Sequence, residues 1–76
     1  MRRMIRLGNA VLLASGQEPF RAAPADTTKP HDGLWIVAGS DGANALAYGD
    51  GIRACLYRHD EARAAASHLN AEARAA

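Results

Sequence analysis

Cys55 and His59 lie four positions apart, and their side chains could in principle act together. A thiol beside an imidazole can serve as a nucleophile and its general base. The sequence supplies neither a third group to orient this imidazole nor an evident oxyanion hole. We therefore interpret Cys55 as a buried or half-buried structural cysteine, and we predict no catalytic residue.

The three histidines, His31, His59 and His68, lack the spacing of a metal site, since paired ligands usually lie roughly two to five residues apart. One arrangement would need the loop near residue 31 to fold over the start of a helix. It would consist of His31, Asp32, His59 and Asp60. The glycines fall in turns between predicted strands and do not form a phosphate loop before a helix. We predict no metal, no cofactor and no enzymatic activity.

Arginine stands out among the charged residues, because eight of the nine basic residues are Arg. Arg and Tyr contribute strongly to protein interfaces. We predict a partner-binding surface on the polar side of the strands and at the end of the last one. It consists of Arg6, Arg53, Tyr57 and Arg58. The same surface could stack and neutralise single-stranded nucleic acid, which is the alternative interpretation. A third interpretation is that these residues lie on a sheet face that is exposed to water and binds nothing.

The first half of the chain predicts a hairpin and a long connection. The runs Arg3–Leu7 and Ala10–Ala14 flank Gly8-Asn9, a turn signal because Gly tolerates a positive φ. A single bent strand with a bulge at Gly8 is the alternative. Residues 15–33 contain all three prolines and predict an irregular connection. Phe20 is expected to anchor this connection to the core.

Three further strands are predicted over residues 34–38, 43–48 and 52–58, joined by tight turns at 40–42 and 49–51. Short turns indicate antiparallel pairing, because parallel strands need long crossovers. The last of these strands alternates between two faces. Arg53, Cys55 and Tyr57 are predicted to share one face, and Ile52, Ala54 and Leu56 the other.

A helix is predicted over about residues 60–74. Asp60 is the expected N-cap, and Glu61 suits the positive end of the helix dipole. One helical face carries the apolar residues at the required spacing. They are Ala62, Ala65, Ala66, Leu69 and Ala73.

These elements predict an α+β fold in which a small antiparallel sheet of four to five strands carries one C-terminal helix on one face. The 76 residues allow a single domain, 1–76. Alanine supplies 18 of the 37 apolar residues, so the core is small for a chain without a disulfide. A protein partner or a homodimer would supply further burial.

The overall charge and the apolar runs bear on location. The formal net charge is +1, which gives no general attraction to nucleic acid or anionic lipid. No stretch approaches the roughly 18 apolar residues of a membrane span. Arg2 and Arg3 could open a secretory signal, but the apolar run Ala10–Ala14 is short for one. We expect a cytoplasmic protein with no membrane partner.

The run from Leu34 to Asn70, LWIVAGSDGANALAYGDGIRACLYRHDEARAAASHLN, resembles the strand–strand–strand–helix layout of small proteins from phages and mobile elements. The chain is similar in size and architecture to the phage-encoded anti-CRISPR proteins. The resemblance concerns format and not motifs, so it assigns no functional residue. It implies a non-enzymatic inhibitor that binds a Cas effector complex in the host cytoplasm and blocks DNA capture or cleavage.

Charge separates this chain from many inhibitors of that group, which are strongly acidic and imitate DNA. A neutral to slightly basic chain is better suited to pairing its arginines with acidic patches on a target. We therefore expect a protein-binding module whose partner is a protein, with a Cas effector complex as the specific candidate. A small nucleic-acid-binding or regulatory protein is the alternative function.

Overall fold

The computed structural model describes residues 3–26, 28, 33–49 and 55–75. The chain begins with a hairpin of β1 (Arg3–Leu7) and β2 (Ala10–Ala14), in which Leu7 faces Ala10 across a two-residue turn. Gly8 has a φ of 58°, and no non-glycine residue in the described part of the chain has a positive φ. A positive φ at the first turn position alone is typical of a type II′ turn, which matches the strand twist. The predicted hairpin is confirmed.

The strands form two antiparallel sheets. β1 and β2 are joined by β5 (Leu46–Tyr48) in the order β1-β2-β5, while β3 (Arg21–Pro24) pairs with β4 (Trp35–Ala38). One helix, α1 (His59–Ala75), ends the described chain. The α+β class with a C-terminal helix is therefore confirmed. The predicted single sheet of four to five strands is not confirmed, because the strands divide into sheets of three and two.

The predicted irregular connection over residues 15–33 is wrong at its centre, where β3 forms. Each residue from Arg21 to Pro24 faces a partner in β4, and the Ala25 N–H donates to the Leu34 carbonyl at 3.0 Å. The segment RAAP has no β-branched residue, so its strand character comes from pairing and not from propensity. Phe20, just before β3, is 4% exposed and belongs to the core, as predicted.

The two sheets are joined at Ala45. Its N–H donates to the Val37 carbonyl at 2.7 Å, and its carbonyl accepts from the Ser15 N–H at 2.8 Å. The chain therefore leaves β4 after the turn around Gly42 and continues as a partner of β2. Asn44 fixes this crossing, because its Oδ1 accepts from the Leu46 N–H at 3.1 Å.

The predicted strand at 52–58 lies partly outside the described residues, and its described end makes single contacts with both sheets. The Cys55 N–H donates to the Leu46 carbonyl at 3.1 Å. Two residues later, Tyr57 exchanges two backbone hydrogen bonds of 2.8 Å with Trp35. Cys55 is 1% exposed and Leu56 is 49% exposed. The predicted alternation holds for the described residues, since Cys55 points into the core and Leu56 points outward. The expectation that the side with Cys55 and Tyr57 is the exposed polar side is wrong.

The helix begins one residue earlier than predicted, and Asp60 is not its N-cap. Arg58 takes that position: its carbonyl accepts from the Ala62 N–H at 2.9 Å, and its N–H donates to Glu61 Oε1 at 3.0 Å. The second bond is the side-chain half of a capping box. The predicted apolar stripe is confirmed, with Ala73 less buried than the rest. Its fully buried members are Ala62, Ala65, Ala66 and Leu69.

Helix α1 packs mainly on β3 and β4, and its buried stripe completes a core shared with the inner face of the other sheet. Small alanines on the helix allow close approach but bury little area each. The core residues contributed by the strands and connections are Ile5, Leu12, Ala14, Phe20, Val37, Ala45, Leu46 and Cys55.

The edge of β3 that faces away from β4 carries Pro24, and no described strand pairs with this edge. Because Ala25 bonds to Leu34, the alternation of an antiparallel ladder points the backbone of Ala22 and Pro24 away from β4. Proline has no N–H to donate, so at Pro24 this edge offers only a carbonyl to an added strand, whereas Ala22 offers both groups.

Asn70 holds the connection before β3 onto the helix. Its Oδ1 accepts from the Phe20 N–H at 2.8 Å and its Nδ2 donates to the Phe20 carbonyl at 2.9 Å. The two residues are 50 positions apart, so this amide joins distant parts of the chain.

We predict that Asn70→Ala lowers the free energy of unfolding by about 1–3 kcal/mol, because it leaves the backbone of Phe20 without partners in a partly buried place. Urea denaturation followed by circular dichroism measures this change. Ser67→Ala, on an exposed position of the same helix, is the control and should change stability by less than about 0.5 kcal/mol. Equal effects of the two variants would contradict the role of Asn70.

Candidate protein-binding surface

The side of the three-stranded sheet that faces away from α1 bears exposed apolar residues. Along β1 the buried Ile5 alternates with the exposed residues Met4 and Arg6, so these two point outward. Along β2 the same alternation directs Val11 and Leu13 outward, opposite the buried Leu12. We call the following five residues the outer face: Met4, Arg6, Val11, Leu13 and Ala47.

The register of the strands makes the outer face continuous. Met4 lies opposite Leu13, and Leu13 lies opposite Ala47, which forms one row across three strands. Arg6 lies opposite Val11 in the next row. Met4 is 69% exposed and Val11 is 43% exposed, so apolar area of this sheet remains in water.

Arg6 is the charged member of the outer face. No ion pair joins it to any residue within 3–26, 28, 33–49 or 55–75. Its neighbour across the ladder is Val11, so a guanidinium stands beside an apolar surface. This combination can bind a protein surface that offers apolar contact and a carboxylate, because Arg forms bidentate hydrogen bonds with carboxylates.

A groove of about 570 Å³ opens on the other side of the sheet, between the hairpin end and α1. Its walls are largely apolar, and polar groups stand at Tyr48, Tyr57, Glu61 and His68. His68 Nε2 also lies 2.8 Å from Glu72 Oε2. The groove can accept an apolar group, but the predicted binding residue Arg6 lies on the opposite side of the sheet.

The predicted binding residues thus do not form one surface. Arg6 belongs to the outer face, whereas Tyr57 lines the groove on the inner side and is half-buried. Arg58 is exposed at the start of α1. Arg53 lies outside the described residues.

The outer face contains apolar residues that the sequence reasoning missed. In RMIRL the strict alternation already places Met4 on the same side as Arg6, once Ile5 is assigned to the core. That signal was available in β1 alone. Composition alone does not give this signal, because Met and Val are more often buried than exposed.

Cys55 sits in an environment that suppresses its reactivity. Burial raises the pKa of its thiol, and this outweighs the hydrogen bond that the Tyr57 hydroxyl donates to the sulfur, which lowers it. The pKa of Tyr57 is also raised, first by burial and then by Cys55, with smaller effects of Tyr48 and Glu61. A thiol that is 1% exposed and has a raised pKa forms little thiolate, which is the nucleophilic form of cysteine, near neutral pH.

We predict that stability falls as pH rises above 9. The ordinary pKa values are 9.0 for Cys55 and 10.0 for Tyr57, and both are raised in the fold. The unfolded chain therefore releases protons that the folded chain retains, so stability present below pH 9 is lost on the alkaline side. Urea denaturation between about pH 8 and pH 11 measures the trend.

Tyr57→Phe is the control for this alkaline effect. It removes one of the two groups, so its stability should decline less steeply with pH than that of the unmodified chain. A flat profile for the unmodified chain over the same interval would contradict the burial of these two groups.

Comparison with known proteins adds no family to this picture. No protein-family model, no curated protein and no solved structure matches the chain. Among the described residues, no helix is both long and apolar enough to cross a bilayer. The outer face is therefore assigned from the exposure and register of its own residues.

Proposed function

We propose that this protein is a non-enzymatic protein-binding module whose partner docks on the outer face. The observation that carries the proposal is the exposure of Met4 and Val11 in neighbouring rows with Arg6, which forms no ion pair with any described residue. Burying these residues against a partner would remove apolar area from water, which stabilises a complex. Arg is enriched among the residues that dominate binding energy.

The outer face also defines the chemistry of its partner. The partner should present an apolar patch with a carboxylate near its centre, placed to pair with Arg6. Excluding water around that pair strengthens the interaction, while the fit to a single positive charge confers specificity. A strongly basic surface would be repelled by Arg6 and would leave it unpaired.

The more specific proposal is an inhibitor of a host defence complex in the cytoplasm, of the anti-CRISPR type. Its support is the length of 76 residues, the α+β class with a C-terminal helix, and the near-neutral charge. Pairing Arg6 with an acidic patch on a Cas effector would block the effector by occupying its surface. The burial of Cys55 supports the choice of binding over catalysis.

A nucleic-acid-binding function is less well supported. Single-stranded binding needs aromatic rings beside cations on one surface. Arg6 and Tyr57 lie on opposite sides of the three-stranded sheet, so these two residues do not form such a platform.

We predict that Val11→Asp weakens the complex with a Cas effector at least about tenfold, because the new carboxylate pairs with Arg6 and repels an acidic partner. Isothermal titration calorimetry with the purified effector measures the affinity. Leu34→Asp is the matched control, since Leu34 is also an exposed apolar residue, at 56%, and is not part of the outer face.

Each outcome decides one part of the proposal. Loss of affinity with Val11→Asp but not with Leu34→Asp supports the outer face. Equal affinities of both variants would remove the outer face as the docking surface. Failure of the unmodified chain to bind any Cas effector would remove the inhibitor assignment.

A further inference from the structure

Strand β1 has one edge paired with β2 and one edge that faces away from it. Just beyond β2, the Ser15 N–H donates to the Ala45 carbonyl, in continuation of the ladder between β2 and β5. Because hydrogen bonding alternates along an antiparallel ladder, the odd-numbered residues of β2 direct their backbone groups toward β5. The even-numbered residues of β2 therefore bond to Arg3, Ile5 and Leu7 of β1. The backbone groups of Met4 and Arg6 point away from β2. No strand in the described part of the chain pairs with them.

We propose that this edge pairs with the same edge of a second copy, antiparallel and across a two-fold axis at Ile5. Residues 4 and 6 then face each other: Met4 of one copy and Arg6 of the other form a hydrogen-bonded pair, and the symmetric pair does the same. Each pair exchanges two N–H···O bonds. The two three-stranded sheets become one sheet of six strands.

The charges along β1 select this register. Arg6 lies opposite Met4 of the second copy, and Arg3 lies opposite Leu7, so no two arginines meet directly. A shift of two residues toward the C-terminus would place Arg6 opposite Arg6, which is destabilising. The register centred on Ile5 also covers part of Met4, which is 69% exposed in the single chain.

The contact is small, so the dimer is a reversible one. Interfaces well below about 1,200 Å² belong to weak or transient complexes. In this dimer Arg6 of one copy lies near Arg3 and Arg6 of the other, within the distance over which salt screens charges, about 10 Å at 0.1 M salt. These arginines repel each other across the contact. Added salt should therefore strengthen the association, opposite to its effect on a contact between arginines and carboxylates.

Sedimentation equilibrium of the full chain tests the proposal over concentrations from about 10 µM to about 1 mM. We expect a shift of the mean mass upward from the 8.0 kDa monomer, and a larger shift at higher salt. A mass that stays at 8.0 kDa at about 1 mM, or an association that salt weakens, would overturn the proposal.

Two substitutions at Arg6 separate the backbone from the side chain. Arg6→Pro removes the N–H that points to the second copy, and proline is tolerated at an edge where that N–H faces solvent. It should weaken dimerisation at least about tenfold. Arg6→Ala keeps the N–H and removes the repulsion, so it should dimerise at least as well. Equal dimerisation of the proline variant and the unmodified chain would exclude pairing through β1.

A disulfide test fixes the register. Chains carrying Arg3→Cys are mixed with chains carrying Leu7→Cys and oxidised under mild conditions, and the products are weighed by mass spectrometry. In the proposed register these two positions form a non-hydrogen-bonded pair, with Cα atoms about 4.5 Å apart. Like positions lie about 13 Å apart along the strands. The mixed dimer should dominate, and a statistical mixture would contradict the register.

The experiments distinguish a failure of the proposed dimer from a failure of the proposed function. Val11 is on β2 and not on the edge, so Val11→Asp tests partner docking without removing a β1 hydrogen bond. If the unmodified chain stays monomeric and Arg6→Pro weakens binding of the partner more than Arg6→Ala does, the edge receives a strand of the partner. That result would overturn the proposed dimer.

Discussion

The two hydrogen bonds of the Ala45 backbone determine the arrangement of the whole molecule. One joins Ala45 to β4 and the other to the residue that follows β2, so a single residue belongs to both sheets. Because the chain passes from one sheet to the other at this point, β5 pairs with β2 and not with β4. The second sheet then receives the helix, and no described element packs on the outer face of the first sheet.

Small side chains make this arrangement possible and also limit it. Three of the four fully buried helix residues are alanine, which lets α1 lie close to β3 and β4. Each buried CH₂ group contributes only about 0.8 kcal/mol, so this packing yields less stabilisation than leucines would give. Polar side chains that join distant segments, such as Asn70 to Phe20, therefore carry a larger share of the stability.

The parts of the fold that local signals specify could be predicted from the sequence. Gly8-Asn9 specified the first hairpin, and the spacing of apolar residues from Ala62 to Leu69 specified the buried face of α1. The strand at Arg21–Pro24 could not be predicted, since it depends on pairing with β4. The crossing at Ala45 is also non-local: an Asp-Gly turn favours a hairpin, and only the competing pairing with β2 redirects the strand.

The candidate surface was predicted in part for the same reason. Arg6 was recognised because β1 alternates regularly between its two faces. Tyr57 was expected on an exposed side of its strand but is half-buried on the inner side, because alternation alone does not say which side of a strand is buried. That choice depends on the contacts of Cys55 with β5 and of Tyr57 with β4, which join segments far apart in the chain.

Pro24 bears on how many copies of the chain can join by strand pairing. A sheet polymer grows only if each added molecule exposes a new edge equivalent to the one it used. In this molecule the edge of β3 carries a residue without a donor, and in the proposed dimer the edge of β1 would be used by symmetric pairing. Growth through the β1 edge would thus terminate at two copies, because that pairing exposes no second β1 edge.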